Sequence, residues 1–82
     1  MSETLARVQQ VFRETFDDDE LAVARATKAD DVEGWDSLMH VTLIVNVEKA
    51  FSIRFTSSEV ARLKNVGELV DLVEAHVAKK RG

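Results

Sequence analysis

The chain has 82 residues, 45% of them apolar, with neither cysteine nor proline. That supplies one small hydrophobic core, and so one domain over residues 1–82, and leaves few residues to wall a catalytic cleft. Lacking cysteine, the chain has no disulfide, no thiolate metal site and no thiol of its own. Stability must come from packing, and any thiol chemistry needs an imported thiol. The formal charge of −4 is a mild imbalance overall, but the acidic field it builds around Ser37 disfavours a nucleic-acid partner.

The acids are unevenly placed. Asp17, Asp18, Asp19, Glu20, Asp30, Asp31, Glu33 and Asp36 precede Ser37, opposed there only by Arg25 and Lys28, whereas Lys79, Lys80 and Arg81 sit late in the chain. Such a field suits a partner with a basic patch; the plainer reading is a solvated loop kept acidic for solubility. No apolar run nears the roughly 18 residues of a membrane span, and no signal-peptide pattern opens the chain, so a cytoplasmic location, with no membrane partner, is the default expectation.

In chain order, Ser2 is placed to cap a first helix in which Leu5, Val8, Phe12 and Phe16 recur at helical spacing, with Val11 beside them. Glu3, Arg7, Gln10, Arg13 and Glu14 fall on the wet face. Acids are unfavourable at a helix C-terminus, which ends this helix near Asp17-Asp18-Asp19. The stretch from Asp17 to Trp35 is long for a helix–helix connection, and such connections carry function or minor structure. Leu21, Val23 and Ala24 suggest a short helical turn, Val32 and Trp35 read as anchors, and Gly34 lets the chain turn sharply.

Gly34-Trp35-Asp36-Ser37-Leu38 then opens a second helix expected over residues 37–51, with Asp36 as N-cap. One apolar stripe holds Leu43, Ile44, Val47, Ala50 and Phe51; a narrower one holds Leu38, Val41 and Val45; Thr42, Asn46 and Lys49 mark the exposed side. Ser52-Ile53-Arg54-Phe55 breaks the periodicity and reads as extended, anchored by Ile53 and Phe55. Thr56 to Glu59 fits a capping box for a short third helix using Val60, Ala61 and Leu63. Asn65-Val66-Gly67-Glu68 is a second capping signal, and Val66, Leu69, Val70, Val73 and Val77 form the inward stripe of a last helix. The expected fold class is all-α: a four-helix bundle with a long first loop and a short third helix. Phe12, Leu43, Val47, Phe51, Leu69 and Val73 are the expected core.

Ser37 falls in the first turn of the second helix, where backbone N–H groups lack partners and the dipole is positive. A serine there is well placed to bear a phosphate ester. His40, one turn on, makes a Ser/His nucleophile pair conceivable, but that chemistry also needs an orienting acid, an oxyanion hole and a pocket, and the chain shows no glycine-rich oxyanion loop and leaves little material for a pocket. No catalytic residue and no metal site are therefore assigned. His40 reads as a surface residue near that phosphate, and His76 as a polar residue late in the last helix.

Asp36-Ser37-Leu38, with Val41, Leu43, the step from Glu48 to Phe51, Ile53 and the restart Asn65-Val66-Gly67-Glu68-Leu69, resembles the acyl carrier proteins over roughly the last three-fifths of the chain. The tripeptide alone is weak; with the Phe-x-Ile and Val-Gly-Glu-Leu spacings it is specific. The resemblance implies a carrier without catalysis of its own. 4'-Phosphopantetheine would come from coenzyme A and be attached to Ser37 by a phosphopantetheinyl transferase, which the matching acid, Asp36, helps to hold metal and substrate. Acyl units would ride the arm as thioesters to loading and acyl-transfer enzymes with basic surfaces, met by Leu38, Val41, Val45 and Glu48, the chain itself remaining a monomer. Fatty-acid carriers have more acids along the second helix; here His40, Thr42 and Lys49 stand there and only Glu48 is negative. The Gly-Trp-Asp-Ser-Leu variant looks more like stand-alone carriers of specialised pathways. A peptidyl or aminoacyl carrier, and an unmodified helical adaptor, remain the alternatives.

Overall fold

The computed structural model describes residues 3–81. Ser2, the expected first cap, lies outside them. The elements are α1 (Glu3–Thr15), α2 (Ser37–Phe51), α3 (Ser57–Arg62) and α4 (Val66–Arg81), with a 3-10 turn at Ala29–Asp31. Among the described residues all regular structure is helical, as the sequence led one to expect. α1 packs against both α2 and α4. The core between them is built from Val8, Phe12, Leu43, Val47, Val66, Val70 and Val73, all essentially without solvent contact, and Leu69 joins them.

Each boundary has a local cause. α1 stops where Asp17 turns left-handed (φ 51°) and the Asp18 N–H reaches back to the Arg13 carbonyl at 3.0 Å, a Schellman-type closure. α2 begins at its Asp36 cap and ends at Ser52, which is left-handed and whose N–H, like that of Ile53, is donated to the Glu48 carbonyl. Thr56 and Glu59 form the reciprocal capping box of α3. Asn65 Oδ1 accepts the Glu68 N–H at 2.9 Å to start α4.

Four expectations are corrected. The helical turn placed on Leu21, Val23 and Ala24 lies instead at Ala29–Asp31. Leu21 to Ala24 is irregular because α1 side chains satisfy its backbone: Arg13 Nε donates to the Leu21 carbonyl at 2.7 Å, and the Val23 N–H is donated to Gln9 Oε1 at 3.0 Å. Phe51 is half-buried: its ring packs against the core on one side and lies beneath the Arg7 guanidinium, 4.4 Å from the ring centre. Ala50, assigned to the inward stripe, is exposed. Asn46, assigned to the wet side, is half-buried and donates to Thr15 Oγ1 at 2.9 Å.

The long loop is laid across the start of α4. Val66 donates its N–H to the Thr27 carbonyl (2.9 Å) and Gly67 to the Arg25 carbonyl (2.8 Å), so the loop fills acceptor positions that a helix start otherwise leaves open. Gly67 permits this approach: a Cβ there would stand 2.9 Å from the Arg25 carbonyl oxygen. Arg25 and Asp71 add a solvent-exposed ion pair at 2.8 Å across the same joint. The loop thereby brings residues 34–36 to the head of α2.

Candidate functional site

The approach to Ser37 is a sequence of local turns. Val32 is buried, and its carbonyl accepts the Trp35 N–H at 3.2 Å. Gly34 lies at φ +85° with open space where a Cβ would be, so its conformation, not crowding, calls for glycine. Asp36 is extended, and its Oδ1 accepts the Met39 N–H at 2.9 Å. Its carbonyl accepts the His40 N–H, also at 2.9 Å. Asp36 is thus the N-cap the sequence requires, and Ser37 is the first residue of α2.

Ser37 is exposed, and its hydroxyl has no partner among the described residues. The Ser37 and Leu38 N–H groups precede the first intrahelical bond and point outward at the positive end of the helix dipole. This donor set suits a phosphate ester on the hydroxyl: the ester would be solvent-accessible, and its charge would face N–H groups with nothing else to bind. A phosphopantetheine at Ser37 therefore fits the residues present.

Trp35 and His40 frame one side of the serine. The indole is wedged edge-on against Phe12, ring centres 5.1 Å apart, with Phe16 at 6.4 Å, and it lies side by side with the His40 ring, ring centres 6.0 Å apart and planes 20° from parallel. Trp35 Nε1–H donates to His40 Nδ1 at 3.1 Å. His40 is half-buried rather than a free surface residue. The nitrogen that an orienting acid would occupy in a Ser/His nucleophile pair is taken by an indole, which gives hydrolysis no support.

An open groove of about 440 Å³ runs beside Ser37, between Trp35 and His40 on one side and Val60, Ala61 and Leu63 on the other, with Leu69 at its floor. The α3 wall is fastened to α4 by His76 Nε2, 3.0 Å from Glu59 Oε2; the imidazole also meets the Phe55 ring edge-on at 5.3 Å. The Thr56 N–H, and after it the His76 ring, hold the Glu59 carboxyl below the usual carboxylate range. His76 is therefore more than a polar residue on a helix tail. Its partner lies 17 residues away, so no local pattern could have announced the contact.

Facing solvent on the next side of α2, Leu38, Val41 and Val45 are 75%, 59% and 40% exposed. They form one apolar strip at spacings of three and four residues, starting beside Ser37. Glu48 lies farther along, half-buried, and its Oε2 accepts the Phe55 N–H at 2.8 Å. It thus ties down the extended segment after α2, a structural duty the sequence did not disclose. Asp30 and Glu33 are exposed in the loop before Ser37, and Asp31 accepts the Lys28 N–H at 2.9 Å to close the 3-10 turn. Among the described residues no cluster of potential metal ligands forms, and no helix is long and apolar enough to cross a membrane.

Residues 6–73 match a family model described as a phosphopantetheine attachment site. The fold is also similar to the solution NMR structure of a holo acyl carrier protein from Geobacter metallireducens, at 44% identity and a TM-score of 0.90, over 96% of this chain and 91% of that one.

Proposed function

The chain belongs to the acyl carrier protein family, and from that premise we propose that it bears its 4'-phosphopantetheine on Ser37 and serves a specialised biosynthetic pathway. The observation that carries the reading is the exposed Ser37 hydroxyl at the first position of α2, without a partner among the described residues and beside N–H groups that have none there either. When bound, the group supplies a terminal thiol that holds an acyl unit as a thioester. The chain itself performs no reaction in this account; a tethered unit gains effective concentration at each enzyme that binds the carrier.

Its residues divide the work. Asp36 holds the first turn of α2 open toward the transferase by capping Met39, and presents a carboxylate beside the modified serine. Leu38, Val41 and Val45 supply short-range apolar contact with partner enzymes. Asp30, Asp31, Glu33 and Glu48 supply the negative field that basic partner surfaces meet. The protein acts as a cytoplasmic monomer, with a phosphopantetheinyl transferase and acyl-loading and acyl-transfer enzymes as its partners.

The reading is tested by loading the protein with phosphopantetheine and offering it to acyl-activating enzymes. The expected result is one acyl group per chain, released by neutral hydroxylamine as a thioester is, and absent from Ser37→Ala. Acylation that survives hydroxylamine, or that persists in Ser37→Ala, overturns it.

A further inference from the structure

The Trp35–His40 pair has no role in the account so far, yet it stands within one helical turn of Ser37. Indole Nε1–H can only donate, so the 3.1 Å bond requires a lone pair on His40 Nδ1. The proton of the neutral ring then belongs on Nε2: the partner of one ring nitrogen decides the tautomer. The orientation is fixed as well as the tautomer. His40 lies nearly parallel to the indole (20° between planes), and the indole is wedged against Phe12 and Phe16. The core thus holds the imidazole by way of Trp35.

Nε2–H has no acceptor among the described residues, although the side chain is half-buried. Ser37 and His40 are three residues apart on α2, which puts their Cβ atoms about 5–6 Å apart on one face. Both line the same groove. A phosphodiester on Ser37 would bring acceptor oxygens to the groove that Ser37 and His40 both line.

We propose that Trp35 sets His40 as a fixed Nε2–H donor to the phosphodiester on Ser37, so that the pair orients the root of the prosthetic arm. The proposal rests on Ser37 as the attachment point. His40 is a positioning residue here. Being neutral, it adds direction without adding long-range attraction, which in a carrier leaves the arm free to leave the groove. The competing donor is Lys64, which also lines the groove and would act by charge.

The test loads the full chain and its His40→Ala, His40→Gln and Lys64→Met variants with phosphopantetheine, with intact mass confirming attachment. The ³¹P resonance of the phosphodiester and the ¹⁵N resonances of the histidine rings are then recorded. The expected result is His40 protonated at Nε2 before and after loading, with its Nε2 signal moving on attachment while that of His76 does not. The ³¹P signal moves by more than its linewidth in His40→Ala, returns toward the wild-type position in His40→Gln, whose amide N–H reaches where Nε2 does, and stays in place in Lys64→Met. Loading with an identical ³¹P signal in wild type and His40→Ala, a signal moved by Lys64→Met instead, or His40 protonated at Nδ1 overturns this proposal alone. No loading of wild-type Ser37 overturns both it and the attachment reading beneath it.

Discussion

Gly67→Ala is a substitution on which two ordinary arguments disagree in sign. Alanine is the better helix former, and it restricts the unfolded chain more than glycine does; together these favour the variant by at most about 1 kcal/mol at a helix start. The structure opposes this. The new Cβ would stand 2.9 Å from the Arg25 carbonyl oxygen and 3.1 Å from Arg25 Cβ. The nearer atom is backbone and cannot swing aside. If the loop holds its place, the overlap costs about 1–3 kcal/mol. If it retreats, the hydrogen bonds from Gly67 to Arg25 and from Val66 to Thr27 are lost at about 1 kcal/mol each. Either route costs about 2 kcal/mol against a gain of at most about 1, so the variant is destabilised by about 1 kcal/mol. For a domain of this size that lowers Tm by about 4–8 °C per kcal/mol. Thermal unfolding followed by circular dichroism measures it. Gly34→Ala is the control: there is room for its Cβ but φ is +85°, so it too is destabilised, and Gly34→Asn less so because asparagine tolerates that conformation better. A Gly67→Ala protein that melts at or above the wild-type temperature refutes the claim that the loop is locked against α4.

Three further outcomes follow from the same structure. Phe12→Ala removes a ring with no solvent contact and is expected to cost about 3–5 kcal/mol, a large part of a small domain's stability; Phe51→Ala, at a half-buried site, costs less, and equal Tm losses in the two contradict the core as described. The Glu59 carboxyl has a lowered pKa in the folded protein, so its stabilising share is present above the ordinary glutamate range and disappears as pH falls through the folded value; Glu59→Gln is therefore expected to flatten the fall of Tm with acidification below about pH 5, and parallel wild-type and variant curves there contradict the latch. Asp30→Asn, Asp31→Asn and Glu33→Gln together keep the acceptor for the Lys28 N–H while removing charge, and are expected to slow association with the transferase and weaken its salt dependence; Leu38→Ala acts chiefly on dissociation, and a loading rate indifferent to all four changes returns the acids and the strip to a solubility role.

What could be read from the sequence was what short-range chemistry dictates. Asp36 followed by an apolar run places α2, and its observed span of Ser37–Phe51 matches the expected one because the cap at one end and the broken periodicity at the other are both local. Thr56 with Glu59, and Asn65 with Glu68, are likewise caps written within four residues. The misplaced turn at Leu21 to Ala24 has the opposite origin: its backbone partners, Gln9 and Arg13, belong to α1, and no pattern inside the loop reports them. The site divides the same way. Ser37 and the strip of Leu38, Val41 and Val45 lie on one helix and follow from its periodicity. The groove wall depends on His76 meeting Glu59, Glu48 holds a later segment, and His40 is turned by Trp35; these are tertiary contacts between residues unremarkable in their own neighbourhoods.

The central claim, that Ser37 bears the arm, is tested most directly by intact-mass measurement with peptide mapping after incubation with coenzyme A and a broad-specificity phosphopantetheinyl transferase. Wild type is expected to gain one phosphopantetheine, located on Ser37, and Ser37→Ala to gain none, with Ser2, Ser52, Ser57 and Ser58 bare in both. An arm on any of those four serines, or an unmodified wild-type chain, contradicts the account.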